Sequence, residues 1–267
     1  FFSAMTTGAK DAAAELGATL NVQDAQLDVS AQNNQIDTFI QQGVDLIVVS
    51  AVDQDGIGPA IDRAKQAGII VVAVDTPAKG ADAVVMTNAV QAGERSCTYL
   101  FDQMGKKGEV LLVDGTPIQT IIDRINGCKK VAENYPDIKI VGQQASKNDR
   151  ASGLAVTTDM LTAHPNVTGI FGMNDPSALG ATLAVTQAGK AGQIKVTGVD
   201  GSPQAVDELK REGSPFIGTA TQNPAEMVRQ AVKIGEGIAK GTPPSEKTVL
   251  IESVLVTRDN VGSYAGW

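Results

Sequence analysis

Five apolar runs in this sequence close on a polar side chain: Ser50 after "VV", Asp75 after "VVAV", Asp114 after "LLV", Asn174 after "FGM" and Asp200 after "TGV". Carboxylates, carboxamides and a guanidinium are planar groups that pair two adjacent hydroxyls at once, and an aromatic face covers the apolar C–H side of a sugar ring. Asp75, Asn174, Asp200, Gln222 and Arg124, with Phe1 and Phe2 as aromatic walls, therefore carry the chemistry of a sugar site. Aromatics make up only 4% of the chain, so two side by side call for a reason. Asp, Asn or Ser after a strand also caps the following helix. Asp175-Pro176 and Gly201-Ser202-Pro203 read as such helix starts, which leaves Asn174 and Asp200 one step earlier to point at a ligand.

Catalytic resources are thin. The one histidine, His164 in "LTAHPNVTG", falls between a helix end and a strand. Cys97 and Cys128 lack CxxC spacing and have no histidine nearby, which argues against zinc or thioredoxin chemistry. "GKKGEV" and "GKAGQIK" lack the spacing of a phosphate-cradling loop, and "GIGPAI" lacks the third glycine of a dinucleotide fingerprint. No nucleophile–base pair or metal cluster can be assembled from these parts, so no enzyme, cofactor or metal is expected. The net charge of −8 and sequence pI of about 4.7 argue against nucleic acid and anionic lipid as partners. No apolar run approaches the roughly 18 to 20 residues that span a bilayer.

The elements that must position these residues alternate. Strand-like runs occur at 18–24, 44–50, 68–75, 108–114, 138–144, 167–174, 194–200 and 215–221, most of them nearly continuous in apolar residues. Helical periodicity occupies about 3–16, 29–42, 54–67, 90–104, 121–134, 152–163, 176–188, 203–211 and 224–239. Such alternation predicts an α/β fold with parallel sheets covered on both faces. Gly17, Gly43, Gly68, Gly189 and Gly241 stand where helices should stop. At 267 residues the chain favours two domains. Ligands of open α/β sheets lie outside the carboxyl ends of the strands, where the polar residues above stand.

Six segments in order, "FFSAMTTGAKDAAAELG", "VDLIVVSAVDQDGIGPAIDRAKQAGIIVVAVDTP", "DRINGCKKV", "MLTAHPNVTGIFGMNDPSALGA", "VTGVDGSPQAVDELK" and "TATQNPAEM", resemble the periplasmic sugar-binding proteins of ABC importers, nearest the ribose-binding branch. The resemblance runs from residue 1 to about 257. It implies the type I periplasmic binding protein fold: two doubly wound parallel-sheet lobes joined by three crossover hinge segments, closing on a monosaccharide. The expected lobes are 1–87 with 223–250, and 88–222 with 251–267. It also implies a monomer in the periplasm, exported by a signal segment outside this sequence, that delivers its sugar to membrane permease subunits. Carried across by position, the ligand set is Phe1, Phe2, Asp75, Arg124, Asn174, Asp200 and Gln222. Two positions depart: Thr76 stands where a ribose binder has arginine, and Asn148 where it has a second-lobe phenylalanine. "VDTP" is closer to fructose-binding relatives, so the expected ligand is a monosaccharide of fructose, ribose or polyol type.

In that family pattern a strand and Asn-Pro precede the paired phenylalanines, so the sequence is expected to start late, with a first strand missing from a sheet that includes 18–24. Cys97 and Cys128 lie in helices flanking the 108–114 strand, and export places them in an oxidising compartment, so a disulfide is expected. Rival readings are the effector core of a lactose-repressor-type regulator, which would need a helix-turn-helix and a basic face absent here, and a sugar sensor serving a chemoreceptor or kinase.

Overall fold

The computed structural model describes residues 1–264 and 266–267. The chain divides into two compact units: Phe1–Thr87 with Asn223–Ile251, and Asn88–Gln222 with Glu252–Trp267.

The first unit holds α1 (Phe2–Leu16), α2 (Val29–Gln42), β1 (Leu46–Val49), α3 (Gly58–Gln66), β2 (Ile70–Val74), β3 (Ala83–Thr87), α9 (Pro224–Ala239) and β9 (Thr248–Ile251). Its strands form a parallel sheet in the order β1-β2-β3-β9. Because side chains alternate along a strand, β2 feeds two cores. Val71 and Ala73 pack with Ile36, Ile57 and Ile61 of the α2 and α3 side. Val72 and Val74 pack with Met5, Met227 and Val228 of α1 and α9. The last two helices touch at Gly8, where a Cβ would stand 2.4 Å from the Ala225 carbonyl oxygen.

The second unit holds α4 (Ala89–Gln103), β4 (Lys107–Asp114), α5 (Gln119–Ala132), β5 (Asp137–Ala145), α6 (Arg150–Ala163), β6 (Val167–Gly172), α7 (Asp175–Gln187), β7 (Lys195–Asp200), α8 (Pro203–Lys210), β8 (Phe216–Thr221) and β10 (Leu255–Thr257). The sheet order is β10-β8-β7-β6-β4-β5, parallel except for β10, which runs antiparallel to β8. Val110 and Leu112 face Leu100, Phe101 and Ile125 of α4 and α5. Leu111 and Val113 face Leu161 and Val185 of α6 and α7. The strand order reverses beside β4, the place where open α/β sheets carry ligands at their carboxyl ends.

The α/β fold with helices on both faces agrees with the sequence reading, with one correction. Residues 18–24 form no strand: all seven are exposed, and β1, pairing only with β2, is the edge of its sheet among the described residues. Thr19 and Val22 have β-branched side chains, but a strand is made by a pairing partner and a face to bury, and this run has neither.

Cys97 and Cys128 are joined, with Cα atoms 5.2 Å apart. Their helices, α4 and α5, come close because two glycines meet backbone. A Cβ on Gly93 would lie 2.0 Å from the Arg124 carbonyl oxygen, and one on Gly127 would lie 2.2 Å from that of Val90.

Candidate functional site

In the second unit the centre of the site is Asp200, at the carboxyl end of β7. Its φ of 144° is unusual for a residue with a side chain, and such backbone costs on the order of 1–3 kcal/mol unless its surroundings hold it. They do so from four directions. Oδ1 accepts from Arg124 Nη1 at 3.2 Å and from Gln222 Nε2 at 2.8 Å. Oδ2 accepts from the Asp175 N–H at 3.2 Å. The Asp200 carbonyl accepts from the Gln222 N–H at 2.8 Å and from the Trp267 indole at 2.9 Å.

Arg124 comes from α5 with its side chain only 6% exposed. Nη1 also donates to the Met173 carbonyl at 2.9 Å, so Arg124 spans the ends of β6 and β7. Both of its hydrogen bonds leave from Nη1, and its buried Nε has no partner. A buried guanidinium with donors to spare beside a carboxylate is equipped to take hydroxyls.

Behind Asp200 lies Asp175, fully buried. Its carboxylate accepts from the Thr219 hydroxyl at 2.7 Å and from the Ser202 N–H at 2.8 Å. Burial, then the charge of Asp200, raises its pKa from 3.8 to about 7, while the Ser202 and Thr219 hydrogen bonds oppose the shift. Asp200 is also raised, burial outweighing the attraction of Arg124. One guanidinium thus faces two carboxylates.

Asn174 is the N-cap of α7: its Oδ1 accepts from the Ser177 N–H at 3.0 Å. The sequence reading gave the cap to Asp175 and left Asn174 to point at a ligand; the helix does begin at Asp175, but its cap is Asn174, and because capping favours Asp and Asn alike, adjacent candidates look the same in sequence. Asn174 Nδ2 donates to the Asn148 carbonyl at 3.1 Å. Asn148, at φ 65°, accepts on Oδ1 from the Thr116 N–H at 2.8 Å. Ser202 caps α8 as its sequence suggested. Asp114 is engaged on both oxygens, by the Gly115 N–H and by Gln143 Nε2.

In the first unit Asp75 follows β2 at φ 64°, its N–H bonded to the Val85 carbonyl at 2.9 Å, and Thr76 follows it. Phe1 packs on the core that contains Val72 and Val74 and meets Phe2 edge to face, ring centres 5.5 Å apart. Phe2 is 59% exposed. Phe1, Phe2, Asp75 and Thr76 thus belong to one unit, and Arg124, Asn148, Asn174, Asp200 and Gln222 to the other. Asp175, Thr219 and Trp267 went unread; the signal for the last was that it is the chain's one tryptophan, in "SYAGW".

Residues 1–243 match the family described as periplasmic binding protein domain. The chain belongs to that family. The ribose import binding protein of Bacillus subtilis is 30% identical, over 90% of this chain and 78% of its own. The xylitol-binding protein of Mycolicibacterium smegmatis is also 30% identical, over 89% of this chain and 68% of its own. A solved ABC transporter periplasmic solute-binding protein of Actinobacillus succinogenes, with bound D-allose, matches with a TM-score of 0.90 at 30% identity, covering 98% of this chain and 95% of its own. Periplasmic binding proteins are solute-binding proteins with the two-unit α/β architecture described above. Among the described residues no helix is long and apolar enough to cross a membrane, and no cluster of three His, Cys, Asp or Glu is placed to hold a metal ion.

Proposed function

We propose that this periplasmic binding protein captures a monosaccharide or polyol outside the cytoplasm, as a monomer, and delivers it to the permease subunits of an ABC importer. The observation that carries the reading is the Arg124–Asp200–Gln222 network, a guanidinium, a carboxylate and a carboxamide joined at strand ends in a family whose members bind ribose, xylitol and D-allose. Asp200 Oδ2 has one protein donor, and a carboxylate oxygen accepts two. One sugar hydroxyl donates there, while its neighbour accepts from the donors Arg124 has left. Asn148 and Asn174 complete the second unit's half of the site. Phe1, Phe2, Asp75 and Thr76 supply the rest from the first unit. Thr76, uncharged, suits a sugar smaller in polar demand than one that needs a second arginine.

A thermal-shift screen over D-ribose, D-fructose, D-allose, myo-inositol and xylitol tests this. A ligand at a hundredfold its dissociation constant adds about 2.7 kcal/mol, a rise of several degrees for a protein of this size. At least one sugar should give that rise, and Asp200→Asn should abolish it. No rise with any pentose, hexose or polyol overturns the reading.

A further inference from the structure

After the Val261–Ser263 turn, Tyr264 and Trp267 are each tied to the strand ends. The Tyr264 hydroxyl donates to the Gly201 carbonyl at 3.1 Å, and the Trp267 indole N–H donates to the Asp200 carbonyl at 2.9 Å. Two aromatic residues three apart thus hold two consecutive carbonyls of the β7–α8 turn. Gly266, at φ 72°, supplies the left-handed backbone immediately before Trp267. The Tyr264 hydroxyl is pushed up to about 12, by burial first and then by the charges of Asp175 and Asp200, so it stays a neutral donor at any working pH.

The anchor on Asp200 places the indole against the residue whose carboxylate meets Arg124 and Gln222. Asn148 offers no apolar surface: its amide Oδ1 accepts from the Thr116 N–H at 2.8 Å. The other ligand residues proposed in the second unit, Arg124, Asn148, Asn174, Asp200 and Gln222, are charges and amides. We propose that Trp267 is a ligand-contacting residue, the second unit's aromatic wall, which stacks on the C–H face of a ring sugar and sets preference for rings over open-chain polyols. The inference rests on the sugar-binding reading above. An indole fixed through its N–H is a flat apolar group that needs no further polar partner. A pyranose or furanose presents a matching C–H face; an open-chain polyol does not hold one.

Trp267 is the sole tryptophan, so emission excited at the indole band reports on this residue alone. The test uses whichever ring sugar of the panel raises the melting temperature, with xylitol as the open-chain comparison. Saturating ring sugar should shift the emission of the unaltered protein and protect it from acrylamide quenching. By calorimetric titration Trp267→Ala should weaken the ring sugar about tenfold, xylitol less, and Trp267→Phe should recover part of the loss. Unchanged emission and quenching at saturation overturn the proposal, as does equal weakening of ring sugar and xylitol in Trp267→Ala, the mark of a strap that only supports the turn. The emission measurement needs no variant, so it decides even if Trp267→Ala folds poorly. If no panel sugar raises the melting temperature, the sugar reading falls first and takes this one with it.

Discussion

Three charged side chains, Asp175, Asp200 and Arg124, occupy the buried end of one sheet, and their balance controls how the second unit responds to pH. Asp175 is held at about 7 in the folded protein against 3.8 in a free chain. A raised carboxyl pKa means the folded state keeps a proton that the unfolded state has released. Stability is therefore unaffected by this group below about pH 4, falls as pH rises from there to about 7, and levels off above. The groups facing it are Asp200, the Thr219 hydroxyl, the Ser202 N–H and Tyr264, with Arg124 beyond Asp200. Asp175→Asn fits the same slot, its oxygen accepting from Ser202 and its amide donating to Thr219, and it carries no charge at any pH. Melts from pH 5 to 8 should show the unaltered protein losing stability relative to Asp175→Asn as pH rises. Parallel profiles would mean that Asp175 is ionised throughout. Asp175 escaped the sequence reading for a physical reason: nothing local distinguishes a capping Asp from one whose hydrogen bonds run to residues far along the chain, here Ser202 and Thr219.

The helix pair α4 and α5 shows how an element positions a site. Gly93 lets α4 sit against the backbone of Arg124 itself, and the Cys97–Cys128 bond holds the pair together. The bond closes a loop of 31 residues, which in the chain-entropy account contributes about 3–4 kcal/mol. Replacing both cysteines by serine should lower the unfolding free energy of the second unit, read from denaturant melts, by an amount of that order, with a lower midpoint. A midpoint that does not move would show that the glycine-mediated contact alone holds the helices. Elements with clear caps were legible: α2, between Asp28 and Gly43, and α9, after Asn223, run where their periodicity predicts. β3 was not, because alternation assumes a helix between parallel strands, and the β2–β3 connection over 75–82 contains none. β9 and β10 are short edge strands, of 4 and 3 residues, too brief for a periodic signal.

At the scale of the whole molecule, each unit carries its own pair of cores, so each has the means to unfold as a unit. The proposed ligand residues divide between them, Asp75 in one and Asp200 in the other. This division makes a prediction that neither unit makes alone. A sugar that needs both half-sites is lost when either is disabled, because the remaining contacts do not offset the ordering cost of binding. Asp75→Asn and Asp200→Asn should therefore each remove the sugar-induced rise in melting temperature, although the substitutions lie in different units. The ligand-free melts separate this effect from damage to the fold. Asp75 is half-buried, so its amide variant should melt close to the unaltered protein. Calorimetry of both variants, with and without saturating sugar, gives the four curves required. If Asp75→Asn keeps the full rise while Asp200→Asn loses it, the Asp75 carboxylate takes no part in binding and Asp75 leaves the site.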